Sequence, residues 1–203
     1  MEIVGYHATK KKNVSSIKNN ICIKKESAWK NDLGDGLYCY VDEKNITGKS
    51  LNFDDPKENA KKYYESGKNN KAQYMAILEI KCEFNEGRIL NLSKLDVLSM
   101  FNKFKKDLKQ EALTEISKDF KIIREEVSEA YDTNDPRARR GVVDGFFIDR
   151  YLNIMKTKGC EVEAVMMLTA SDFYYLDNHK WRVQIPNGCE LCIKKLSCIK
   201  SIV

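Results

Sequence analysis

The chain has 203 residues, 42% of them hydrophobic and 32% charged, with 35 basic against 30 acidic residues and a formal net charge of +5. This suits one ordinary domain spanning residues 1–203, long enough to bury a hydrophobic core without staples. No apolar run approaches the ~18 residues of a membrane helix, and the polar, Lys-rich start lacks a signal peptide's apolar region, so a soluble, cytoplasmic protein with no membrane partner is expected.

Seven cysteines, an odd number, are scattered through strand-like segments, which argues against a disulfide framework and for reduced thiols. Cys189 and Cys192 form a CxxC, but no second pair stands at zinc spacing, and in a strand the two would face opposite sides, so no metal is expected. The charges are interspersed, with only Lys10 to Lys12 and Lys24 to Lys25 as small basic clusters. They are weak support for a polyanionic partner.

In chain order, EIVGYH at 2–7 reads as a strand, and NVSSIKNN at 13–20 has Val14 and Ile17 at helical spacing before terminating asparagines. LGDGLYCY at 33–40 sets two glycines around Asp35 ahead of a short aromatic strand, predicting backbone that side chains would obstruct. TGKS at 47–50 has the end of a phosphate-binding loop, but the Gly required five positions before Gly48 is Glu43; the match fails. DPKENAKKYYESG opens a helix at Pro56 and closes it at Gly67.

From Tyr74 to Phe84 the sequence alternates with a period of two, the clearest strand in the chain. Ser93 with Asp96 resembles a capping box, followed by Leu95, Leu98, Phe101, Phe104 and Leu108 at helical spacing. Leu113, Ile116, Phe120, Ile123 and Val127 make a second amphipathic run, giving a helical segment over about 93–131. Its two candidate roles are a partner-facing insertion and closure of the core. TNDPRARRG at 133–141 is a basic turn, and VVDGFFIDRYLNIMKTKG runs to a stop at Gly159. EVEAVMMLT at 161–169, WRVQI at 181–185 and ELCIKK at 190–195 read as strands, with a turn or loop at YLDNHK. The whole predicts an α+β domain with strands at both ends and helices between.

Candidate functional residues lie in four places. His7, one of two histidines, ends the first strand in GYHAT; Tyr38 lies in LGDGLYCY; Tyr63 and Tyr64 lie on the helix ENAKKYY; and Glu190 stands in NGCELCI. A carboxylate inside an otherwise apolar strand is uncommon without a partner, although Lys194 and Lys195 nearby also suit a solvated salt bridge.

In order and spacing this set resembles the ADP-ribosyltransferase fold, and within it the diphtheria-toxin and poly(ADP-ribose)-polymerase branch, whose motif is a His, a Tyr and a Glu on separated strands. It is similar to small bacterial domains that open YHGT and continue LGxGxYF, across most of the chain. The resemblance implies a split β-sheet core and NAD as co-substrate. His7 would hold the adenosine ribose and the Ala8 backbone the nicotinamide carboxamide, with Thr9 beside them. Where the family usually has Gly, this chain has Ala8.

Tyr38 and Tyr63, with Tyr64 as the neighbouring candidate, would sandwich the cationic nicotinamide ring, for which two electron-rich faces supply about 1–2 kcal/mol. Glu190 would hold the ribose 2′-hydroxyl and stabilise an oxocarbenium-like transition state. His7, Tyr38 and Glu190 are thus the implied catalytic set.

The implied activity is mono-ADP-ribosyl transfer from NAD to a macromolecular acceptor, protein or nucleic acid. The implied setting is a toxin of a toxin–antitoxin or phage-defence pair, with an antitoxin protein as a candidate partner. Two other classes remain open: a catalytically inactive NAD- or ADP-ribose-binding regulatory module, and a nucleic-acid-binding or RNA-cleaving toxin that uses Arg137, Arg139, Arg140 and Lys10 to Lys12 against phosphates.

Overall fold

The computed structural model describes residues 1–23, 32–66, 70–115, 142–171, 173–176, 179–182 and 185–203. Its centre is a seven-stranded sheet built from β1 (Glu2–Lys10), β2 (Leu37–Val41), β3 (Met75–Glu83), β4 (Ile89–Asn91), β5 (Ala164–Thr169), β8 (Gly188–Ile193) and β9 (Ile199–Ile202). The strand order is β4-β5-β8-β2-β1-β3-β9. Only β4 and β5 run parallel; the other neighbours are antiparallel. A separate hairpin joins β6 (Phe173–Leu176) to β7 (His179–Arg182). The helices are α1 (Val14–Asn19), α2 (Lys44–Thr47), α3 (Pro56–Glu65), α4 (Leu95–Glu115) and α5 (Val142–Thr157). The fold is α+β, and among the described residues no helix is long and apolar enough to cross a membrane.

Alternation along the strands sorts side chains onto two faces. One face carries Ile3, Cys39, Val41, Leu78, Ile80, Met166, Cys189, Leu191 and Ile193, with Val14 and Ile17 of α1 packed against them. On the other, Val165 and Cys192 meet Phe101 of α4 and Ile148 and Tyr151 of α5. Cys189 and Cys192 therefore face opposite sides, as their spacing predicts.

The sheet is continuous but narrowly joined. β1 pairs with β3 along all nine residues, and β2 pairs with β8 along all five. Between β1 and β2 the ladder holds only Gly5 to Val41 and Tyr6 to Tyr40. Beyond Tyr6 the two strands part, leaving a gap at the middle of the sheet. Gly5 permits the close approach at the join, because a Cβ there would stand 2.7 Å from that of Cys39.

Several expectations need correction. β1 runs three residues past His7, because β3 offers a partner as far as Met75. Ser93 does not cap α4; its hydroxyl accepts the backbone N–H of Leu168 at 2.9 Å, tying the helix entrance to β5. The buried stripe of α4 is Val97, Phe101 and Phe104, whereas Leu95 is 82% exposed and Leu98 also faces outward. The described part of the 93–131 segment thus closes the core. Within YLDNHK, where a turn or loop is expected, strand pairing extends inward from both ends, with Tyr175 opposite Lys180 and Leu176 opposite His179. β9, at the edge, is an additional strand. Lys24, Lys25, Gly67, the run Ile116, Phe120, Ile123 and Val127, the turn 133–141 with its three arginines, and residues 183–184 lie outside the described residues.

Candidate functional site

The gap between β1 and β2 is where the sequence candidates meet. An antiparallel strand directs the backbone groups of alternate residues to each side, so the tail of β1 after Tyr6 turns part of its backbone to a side with no ladder partner. His7 fills the first position. Its Nδ1 lies 2.8 Å from the carbonyl oxygen of Tyr38; a carbonyl only accepts, so Nδ1 carries the proton. Burial lowers the His7 pKa below its ordinary value, against the opposing pull of that hydrogen bond. The neutral ring then offers Nε2 as an acceptor.

Tyr38 is fixed through its phenol. The Oη donates to the Gly34 carbonyl and accepts from the Leu33 N–H, both at 2.8 Å. Burial raises its pKa, so it remains a neutral donor. The turn it holds is wired from below as well. Lys194 Nζ donates to the carbonyls of Leu33 and Asp35 at 2.7 Å and to Asp149 Oδ1 at 2.9 Å. Asp149 Oδ2 accepts the Asp35 N–H at 2.8 Å.

Gly34 has φ +76° and would place a Cβ 2.2 Å from Asp149 Oδ1, while a Cβ at Gly36 would lie 2.4 Å from Cys192 Sγ. The obstruction expected of the two glycines is real at both.

Glu190 lies on β8, buried at 3% exposure. Directly across the ladder stands Tyr40, whose Oη donates to Glu190 Oε1 at 2.9 Å. One row across the sheet therefore reads Glu79, Tyr6, Tyr40, Glu190 and Met167.

Above this row sits α3. Asp55 caps it by accepting from the N–H groups of Lys57 and Glu58, and Pro56 occupies its first turn. Asn59, 1% exposed, anchors it: Nδ2 donates to the carbonyls of Asp54 and Asn187 at 3.2 Å, and Oδ1 accepts from Ser171. The helix that presents Tyr63 is thus tied to the turn that leads into Glu190.

The resulting pocket, about 50 Å³, is lined by Tyr6, His7, Ala8, Tyr38, Cys39, Tyr40, Ala60, Tyr63 and Glu190. Of the sequence candidates, His7, Ala8, Tyr38, Tyr63 and Glu190 come together. Thr9 and Tyr64 do not line it. Both are buried, and the Tyr64 hydroxyl has no hydrogen-bond partner among the described residues. The ring facing Tyr63 is Tyr40, at 6.2 Å between centroids and 55° between planes, rather than Tyr38. Tyr40 and Tyr6 are the residues that motif matching missed. A period of two would have found both, since Tyr40 shares a face with Tyr38 and Tyr6 with Ala8.

Glu190 is the one carboxylate among the lining residues. Burial holds the Cys39 thiol well above its ordinary pKa, which removes it as a thiolate nucleophile. Among the described residues no group of three or more His, Cys, Asp or Glu side chains is arranged to hold a metal ion. No protein-family model, curated protein or solved structure matches the chain.

Proposed function

We propose that the protein is a mono-ADP-ribosyltransferase that moves ADP-ribose from NAD to a macromolecular acceptor and releases nicotinamide. The observation carrying this reading is the convergence of His7, Ala8, Tyr38, Tyr63 and Glu190 on one pocket at a gap in the sheet. The fold proposed is that of the ADP-ribosyltransferases, in the His-Tyr-Glu branch, and the narrow β1–β2 join with the parted strands beyond it supports the split sheet of that fold.

Each group has a use in the chemistry. Breaking the bond between C1′ of the ribose and the nicotinamide nitrogen sends the bonding pair to the ring, which leaves neutral, and puts positive charge on the sugar. Glu190, buried and oriented by Tyr40, holds the 2′-hydroxyl and offsets that charge. An acceptor nucleophile then bonds to C1′ and gives up its proton to Glu190 or to water. The aromatic wall of Tyr38, Tyr40 and Tyr63 receives the cationic ring. His7 Nε2 accepts from a ribose hydroxyl. The pocket as it stands has room for one or two waters, so the ring enters as Tyr63, 46% exposed, turns outward.

Toxin action under the control of an antitoxin protein, or in phage defence, is the biological setting proposed. A second reading, NAD or ADP-ribose binding without turnover, is favoured by Ala8, which lines the pocket where the domains this sequence resembles usually carry Gly.

Incubating the protein with NAD labelled on the adenine side, with and without cell lysate, tests both. Nicotinamide release and label transfer that vanish in Glu190→Ala support the transferase. Binding without turnover leaves the regulatory module, and no binding overturns both.

A further inference from the structure

Although the charges are interspersed over most of the chain, two stretches carry no acidic residue. The chain has 30 acidic residues, yet none lies between Glu2 and Glu26 or between Glu65 and Glu79. The β1–β3 ladder sets these two acid-free stretches side by side. Lys10 pairs with Met75; the turn Lys11–Asn13 follows directly, and the turn Ala72–Tyr74 directly precedes Met75. Tyr74 N–H bonds back to the Lys71 carbonyl at 3.0 Å.

Lys10, Lys11, Lys12 and Lys71 are all exposed, and Tyr74 stands 57% exposed among them. None of these four lysines has an ion-pair partner among the described residues, a state they share with exposed lysines such as Lys18, Lys49 and Lys103; what sets them apart is the exposed tyrosine at the same end of the sheet. The β1–β3 register thus brings Lys10 to Lys12 and Lys71 to the same end of the sheet as one exposed aromatic ring.

That combination fits a particular ligand chemistry. Exposed lysines held in no ion pair bind a string of phosphates and release its counterions. An exposed tyrosine among them supplies a stacking platform for a base. An acidic peptide would use the lysines and leave the ring idle, and a duplex would keep its base faces covered. The patch also adjoins the pocket: Lys10 is two residues beyond Ala8, about 7 Å along the strand at ~3.3 Å per residue.

We propose that this end of the sheet docks single-stranded nucleic acid, which serves as the acceptor of the transfer. The acceptor role rests on the transferase reading; the docking does not.

Fluorescence anisotropy with short labelled single-stranded DNA and RNA, in the absence of NAD, tests the docking. Wild type binds with a log Kobs against log salt slope near −3, as expected for four lysines at ~0.7 each. Replacing Lys10, Lys11 and Lys12 together by Gln reduces that slope by about 2. Tyr74→Ala weakens binding about 5- to 150-fold, the equivalent of one lost stacking contact. The arm bound more tightly, DNA or RNA, identifies the source.

No binding at low salt, or binding indifferent to these substitutions, overturns the proposal. So does equal binding of polyglutamate with no Tyr74 effect, which would mark a general polyanion surface. Nicotinamide release without oligonucleotide binding overturns the docking and leaves the transferase standing. Docking without release supports the surface and overturns the enzyme.

Discussion

Tyr40 Oη donates to Glu190 Oε1 at 2.9 Å from the directly opposed position of the β2–β8 ladder, and both side chains are buried. Backbone register therefore sets the direction of the carboxylate, since neither residue can shift without breaking the pairing of two central strands. Tyr40→Phe keeps the ring that faces Tyr63 and removes only the donor. A hydrogen bond to a charged group contributes about 1.5–3 kcal/mol, so a lower urea midpoint with unchanged m is expected. Nicotinamide release should fall through kcat rather than KM. A variant with wild-type kcat would reject the orienting role.

Glu190→Gln separates charge from shape. The amide oxygen still accepts from Tyr40, so stability should stay within about 1 kcal/mol of wild type. Losing the carboxylate opposite a developing cation should cost about 10²–10³-fold in nicotinamide release, the scale of a removed electrostatic stabiliser. Circular dichroism melting and a single-turnover assay together distinguish this from simple misfolding.

His7 gives the site a pH dependence whose sign follows from burial. Its folded pKa is lowered from 6.5, so the unfolded chain binds the extra proton first as pH falls. Stability is fully present above about 6.5 and is lost progressively as pH drops toward the folded pKa. Urea midpoints of wild type and His7→Ala, measured from pH 8 to pH 5, should converge on the acid side. NAD binding should weaken over the lower part of that range, because a protonated Nε2 can no longer accept from a ribose hydroxyl. A gap between the two proteins that does not change with pH would refute this linkage.

Much of this site was legible in the sequence because its residues sit on short, strongly patterned elements. The alternation of β3, the glycines at 34 and 36 and the Pro56 helix start each have a local physical cause, and the folded chain keeps all three. The misses share a different cause. The face of Tyr40 is legible from its spacing to Tyr38, but its partnership with Glu190 arises only through pairing between residues 150 positions apart, and no local pattern encodes that register. Ser93 looked like a cap because it precedes a helix, but the N–H it serves belongs to Leu168 in another strand. Tyr63 and Tyr64 are neighbours in sequence, and only the docking of α3 on the sheet decides which one faces the pocket.

The same long-range logic makes Lys194 a sharper test of the fold than any pocket residue. Its ammonium, on a side chain only 9% exposed, is shared by Asp149 and two carbonyls of the turn that holds Tyr38. Lys194→Met fills the same volume but leaves the Asp149 charge and both carbonyls without that donor. The pair is part-buried, so breaking it from one side should cost somewhat less than the roughly 3–5 kcal/mol of a fully buried pair, and a clear drop in the urea midpoint is expected. Asp149→Asn can still accept the Asp35 N–H and should cost less. In the double variant no charge is left stranded, and the two effects should fall short of additive by about 1–3 kcal/mol. Strict additivity would mean that lysine and aspartate act independently, and that the turn beneath Tyr38 is held by its phenol alone.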